Sequence, residues 1–171
     1  AAFKSATGSD VKLAFGSSGN FARQIRQNAP FELFFSADDA YILELAKDGF
    51  VRDTGQLYAI GRIVVFVPTG SPLKADVALQ DLAAALTDGR LKKFAIANPE
   101  HAPYGKRAEE ALKYRGLWDG IKDKLVLGEN VSQAAQFATS ANTQGGIFAY
   151  ALALSPSVSS RGTYQLIDET W

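Results

Sequence analysis

Three observations predict an α/β fold with mainly parallel strand pairing. Apolar strand-type runs alternate with helix-periodic segments along the whole chain. One run, Ile63-Val64-Val65-Phe66-Val67, carries no charge, as befits a strand buried on both faces. Hydrophobic residues make up 47% of the 171, enough to build a core rather than a disordered chain.

Each element follows from its local pattern. Residues 1–8, AAFKSATG, read as the last turns of a helix with Gly8 as its C-terminal cap. A strand at 11–15 leads into a helix at 20–27, and a strand at 31–36 (FELFFS) into a helix at 37–48. The uncharged strand at 63–67 precedes the turn-rich PTGSP stretch and a helix at 79–86. Strand 94–97 pairs with helix 105–114, and strand 125–127 with helix 131–139. Strands at 146–149 and 164–167 complete the set, and there is no internal repeat. A helix without a beginning and a strand close to Trp171 together lead to the expectation of a longer protein cut at both ends. The stretches 55–61 and 145–156 fit either ordinary loops or two crossings between lobes. In the two-lobe case the second lobe is roughly 62–149.

Composition narrows the function. Lys plus Arg and Asp plus Glu stand at 18 each, which argues against a general nucleic-acid surface. The chain has no cysteine and a single histidine, His101, so thiolate and histidine metal clusters are excluded within it. No apolar run approaches the roughly 20 residues that span a bilayer, and no signal peptide is visible. A catalytic set is also missing. The serines at 17 and 18 have no GxSxG context, and His101 has no evident acidic partner, so it reads as structural. Asp38 and Asp39 read as caps for the following helix. Glu109 and Glu110 read as ion-pair partners of Lys106, Arg107 and Lys113 on a solvated face. Phe34, Phe35, Trp118 and Trp171 read as core. The expectation is a protein that is not an enzyme.

Three strand-to-helix turns stand out: AFGSSGN at 14–20, NPEHAPYG at 98–105 and GENV at 128–131. In parallel α/β sheets such turns gather at the carboxyl edge, where ligands bind. Each helix start exposes backbone N–H groups and the positive end of a dipole, so several aimed at one point hold an oxyanion without a cationic side chain. Ser17 and Ser18 add hydroxyl donors. Each turn taken alone is equally a plain cap or a glycine turn.

Taken together, FGSSGNFARQIRQNAPFELFFSAD, IANPEHAPYGKRAEEALKYRGLWD, LVLGENVSQAAQF and GGIFAYALA resemble the periplasmic molybdate-binding proteins of ABC transporters, in order and over nearly the whole chain. The resemblance implies a two-lobed periplasmic binding protein-like fold of type II. Each lobe is then a mainly parallel sheet flanked by helices, with two crossovers. Residues 1–61 and 150–171 would form an incomplete first lobe and 62–149 the second. The implied ligand is molybdate or tungstate, bound as an oxyanion between the lobes, with no cofactor and no metal site. By position, Ser18 is the ligand serine through hydroxyl and backbone N–H, and Tyr104 and Val131 donate backbone N–H groups. Tyr104 is able to add its own hydroxyl. The family's ligand tyrosine falls on Ala149, with Tyr150 one position later. The implied partner is an ABC transporter membrane permease, with no nucleic acid, and the location periplasmic or extracytoplasmic with a lipid anchor. The alternatives are an effector domain of a transcriptional regulator and a binding protein for sulfate. Self-association of the truncated chain is a further expectation.

Overall fold

The computed structural model describes residues 2–140 and 142–168, so Trp171 lies outside the described residues. Helix α1 (Ala2–Thr7) ends at Gly8, whose φ of +76° and N–H bond to the Lys4 carbonyl make the expected glycine stop. Helix α2 (Ser18–Arg26) buries Ala22 and Ile25 against Leu45 of α3 (Asp39–Lys47), with Phe34, Tyr41 and Val51 at the margin. Asp38 caps α3 by accepting from the Ala40 N–H.

The rest of the chain builds one sheet. Strands β1 (Ile63–Pro68), β2 (Phe94–Ala97), β3 (Leu125–Gly128), β4 (Gly145–Ala149) and β5 (Gly162–Leu166) lie in the order β3-β2-β4-β1-β5. Alternate residues of β1 feed two clusters. Ile63, Val65 and Val67 pack with Leu82 and Ala85 of α4 (Gln80–Asp88) and with Ala108, Ala111 and Leu112 of α5 (Pro103–Tyr114). Val64 and Phe66 pack with Phe148 and with Ala135 and Ala138 of α7 (Val131–Ala138). All six residues of β1 are buried, which is why the uncharged run was readable. The short α6 (Trp118–Ile121) follows α5, and α8 (Tyr150–Ala153) and α9 (Pro156–Ser159) bridge β4 to β5. No described helix is long and apolar enough to cross a membrane. Of the aromatic residues expected in the core, Trp118 packs at its margin under the Lys113 ammonium. The ion pairs Glu109–Lys113 and Arg107–Glu110 form as expected, each at 2.6 Å.

Four expectations need correction. The segments at 11–15 and 31–36 form no strand. Val11, Leu13 and Phe15 keep the period of two but are 57%, 73% and 86% exposed, because no described segment pairs with them. A strand's alternation marks a face to be buried; the pairing that buries it must come from elsewhere. Phe35, expected in the core, is 65% exposed and meets Tyr58 edge to face. The sheet is mixed rather than mainly parallel: β2 runs parallel to β3 and β4, whereas β1 is antiparallel to β4 and β5. Finally, β5, expected with 150–171 apart from 62–149, pairs with β1 of that segment. Its backbone satisfies the free edge of β1, and Tyr164 and Leu166 pack on the Val64–Phe66 face.

Phe66 is fully buried, with its ring 5.5 Å from that of Phe148. Phe66→Ala lowers stability by about 3–5 kcal/mol in urea denaturation. Val11→Asp changes it by less than about 0.5 kcal/mol, since that side chain already faces water.

Candidate functional site

Helices α5 and α7 pack on opposite faces of the sheet, yet both begin just past the carboxyl ends of the parallel strands β2 and β3. Two glycines make this tight exit possible. A Cβ on Gly105 would land on the carbonyl oxygen of Ala97, and one on Gly128 would meet the Ala134 nitrogen at 2.6 Å. The Asn98 N–H donates to the Gly128 carbonyl, tying the two turns together. Within its turn the Asn98 side chain accepts from the Glu100 N–H and its carbonyl from the Ala102 N–H.

Helix α2 arrives at the same turn from the N-terminal part of the chain. The Gly19 N–H donates to the His101 carbonyl at 2.9 Å, and Ser17 Oγ lies 2.9 Å from His101 Nδ1. The opposite ring atom, Nε2, stands 3.6 Å from the Glu129 carboxylate in the turn before α7. One histidine thus touches all three helix starts. His101 has no evident acidic partner near it in sequence; its partners lie on other elements, out of reach of any local motif.

The structure brings Ser18, Tyr104 and Val131 to this end of the molecule as the first or second residues of their helices. Ser18 is nearly buried, and its hydroxyl accepts from the Ala37 N–H at 3.0 Å, which leaves the hydroxyl proton for another acceptor. In α5, Pro103 has no N–H and the Gly105 N–H is bonded to the Ala102 carbonyl, so Tyr104 carries the open amide. In α7 the Asn130 side chain caps the Gln133 N–H. The Val131 and Ser132 amides meet no acceptor among the described residues. These unshared amides, set at the positive ends of helix dipoles, can bind an anion by neutral donors alone.

Beside them lies a cleft of about 280 Å³ whose walls include Ala37, Gly61, Pro103, Tyr104 and Arg107. The Tyr104 ring fills the space over Gly61, where a Cβ would come within 2.5 Å of its hydroxyl. Burial first, and then neighbouring Tyr58, push the Tyr104 phenol above its ordinary range, so it remains a neutral donor at neutral pH. Tyr150 opens α8, packs near Tyr164 at 5.9 Å and lines a hollow of about 450 Å³ that shares Arg62 and Ile167 with the cleft. None of the three helix starts lines that hollow. Among the described residues no cluster of His, Cys, Asp or Glu is arranged to hold a metal ion.

Comparison with known proteins agrees with this architecture. The sequence profile described as bacterial extracellular solute-binding protein matches residues 1–171. The molybdate-binding protein ModA of Rhodobacter capsulatus is 38% identical over 151 residues, covering 88% of this chain and 57% of that protein. ModA of Azotobacter vinelandii is 38% identical over 148 residues, covering 86% of this chain and 56% of its own length. The chain therefore spans little more than half of these relatives. The solved structure of the Azotobacter vinelandii periplasmic molybdate-binding protein superposes with a TM-score of 0.80 at 28% identity, covering 98% of this chain and 71% of that one.

Gly19 sits where α2 touches the His101 turn, and a Cβ there would lie 2.7 Å from the His101 carbonyl oxygen and 2.9 Å from the Tyr41 hydroxyl. Gly19→Ala, normally favourable within a helix, is expected to cost about 1–3 kcal/mol here in urea denaturation.

Proposed function

The chain belongs to the bacterial extracellular solute-binding protein family, and we propose that it binds molybdate or tungstate and delivers it to an ABC transporter permease. What carries this reading is the set of unshared amides at three helix starts, all tied to one turn. They are neutral donors of the kind that a tetrahedral dianion, stripped of water, needs. Ser18 supplies its hydroxyl proton and its amide; Tyr104 and Val131 supply amides. No proton transfer or covalent step is required, so the role is capture and release rather than catalysis. The relatives named above are binding proteins.

The same reading makes residues 1–61 part of one lobe and the sheet from β1 to β5 the other, with the oxyanion between them. It places the protein in the periplasm, or outside the cytoplasm on a lipid anchor. The exposed apolar residues of 11–15 and 31–36 supply a surface through which this chain by itself would associate with a second copy. Light scattering on the isolated chain tests that part: a monodisperse monomer excludes it.

Titration calorimetry against molybdate, tungstate, sulfate and phosphate tests the ligand, and preference for sulfate or phosphate would refute the assignment. Ser18→Ala is expected to weaken molybdate binding about ten- to hundredfold, the worth of a hydrogen bond to a charged group of roughly 1.5–3 kcal/mol.

Val131 offers a cleaner test of amide donation. It is the first residue of α7, where proline is tolerated, and Asn130 before it is extended at φ −154° and ψ 173°. Val131→Pro therefore keeps the helix and removes the donor, with affinity falling about tenfold or more. Val131→Ala stays within about threefold of the parent. Equal binding by the two variants would disprove the amide contact.

A further inference from the structure

We propose that His101 is a positioning residue for the anion site: it draws the Ser17 hydroxyl away from the start of α2 and so keeps the Asn20 amide open to the ligand. The inference rests on the anion-binding reading above and adds a residue that does not itself touch the anion.

Ser17 occupies the N-cap position of α2 with the backbone of a cap, φ −84° and ψ 148°. Serine there ordinarily accepts from the amide two or three residues on, here Gly19 or Asn20. It accepts from neither. Its oxygen lies instead 2.9 Å from His101 Nδ1, while the Gly19 N–H is taken by the His101 carbonyl. One histidine thus occupies both halves of the cap, the hydroxyl with its ring and an amide with its backbone. The Asn20 N–H is left with no acceptor among the described residues.

Two longer helices show the ordinary cap, whereas Ser155 at the start of the four-residue α9 also makes none and turns its hydroxyl to the Leu152 carbonyl. In α3 and α7 the cap residues Asp38 and Asn130 accept from the amides of their own first turns. Ser17 is only 4% exposed, so solvent does not account for its orientation. On the far side of the ring Nε2 faces the Glu129 carboxylate at 3.6 Å; in the tautomer with its proton on Nε2, Nδ1 is free to accept from Ser17. A capped helix start has already given its third amide to its own side chain; an uncapped one offers it outward. His101 thereby adds the Asn20 amide to the donor set that Ser18 begins.

The test uses the full natural chain, with molybdate as the calorimetric probe and backbone amide exchange by NMR in its absence. His101→Phe fills the space of the ring without bonding to Ser17, and His101→Ala serves as a second variant. In both, the released hydroxyl caps α2, so exchange of the Asn20 amide slows about fivefold and molybdate affinity falls about five- to tenfold. Adding Ser17→Ala to either variant removes the competing cap and returns affinity and exchange to within about twofold of the parent. A histidine that merely braced the fold would give a double variant no better than the single one, and that result overturns the proposal. So does unchanged Asn20 exchange in both His101 variants. If the parent chain takes up no molybdate, the anion reading itself fails, while Asn20 exchange still decides the role of His101.

Discussion

A single turn, Asn98 to Ala102, ties helix α2 to the rim of the sheet. The first 61 residues form their own buried cluster, Ala22, Ile25 and Leu45, separate from the two on the faces of the sheet. They are joined to it by the Gly19 bond to the His101 carbonyl, the Ser17–His101 contact and the seat of Tyr104 over Gly61. The turn can accept those contacts because it is already rigid, stitched by Asn98 within itself and to Gly128 across the neighbouring strand. Close approach of backbones, licensed by Gly19, Gly105 and Gly128, sets the spacing of the three helix starts.

Local chemistry explains what was legible in the sequence. Phe94–Ala97, Ile63–Pro68 and the helices between and after them appear within a few residues of where periodicity places them, because each buries its own stripe on a sheet the chain supplies. The segments at 11–15 and 31–36 carry the same signal without the same outcome. Strand formation is a property of pairs, and the sequence of one partner says nothing about the other. The direction of β1 was hidden for a related reason: an uncharged run is equally at home beside parallel and antiparallel neighbours.

The site divides in the same way. Tyr104 and Val131 are named in the sequence only through the family resemblance of their turns; the Pro103 and Asn130 beside them mark helix starts, and that much is local. His101 was not readable. Its interaction with Ser17 spans 84 positions of sequence, and nothing around a proline-bordered histidine announces a serine on another element. The cap that Ser17 fails to make was equally invisible, since the residue type and its backbone are those of a cap.

The place where the sheet begins and ends has its own consequence. The Ile167 N–H donates to the Ile63 carbonyl at 3.1 Å, so the chain enters and leaves this body through one hydrogen-bonded gate. A body whose ends meet can be carried inside another chain with little strain on its host, as inserted domains are.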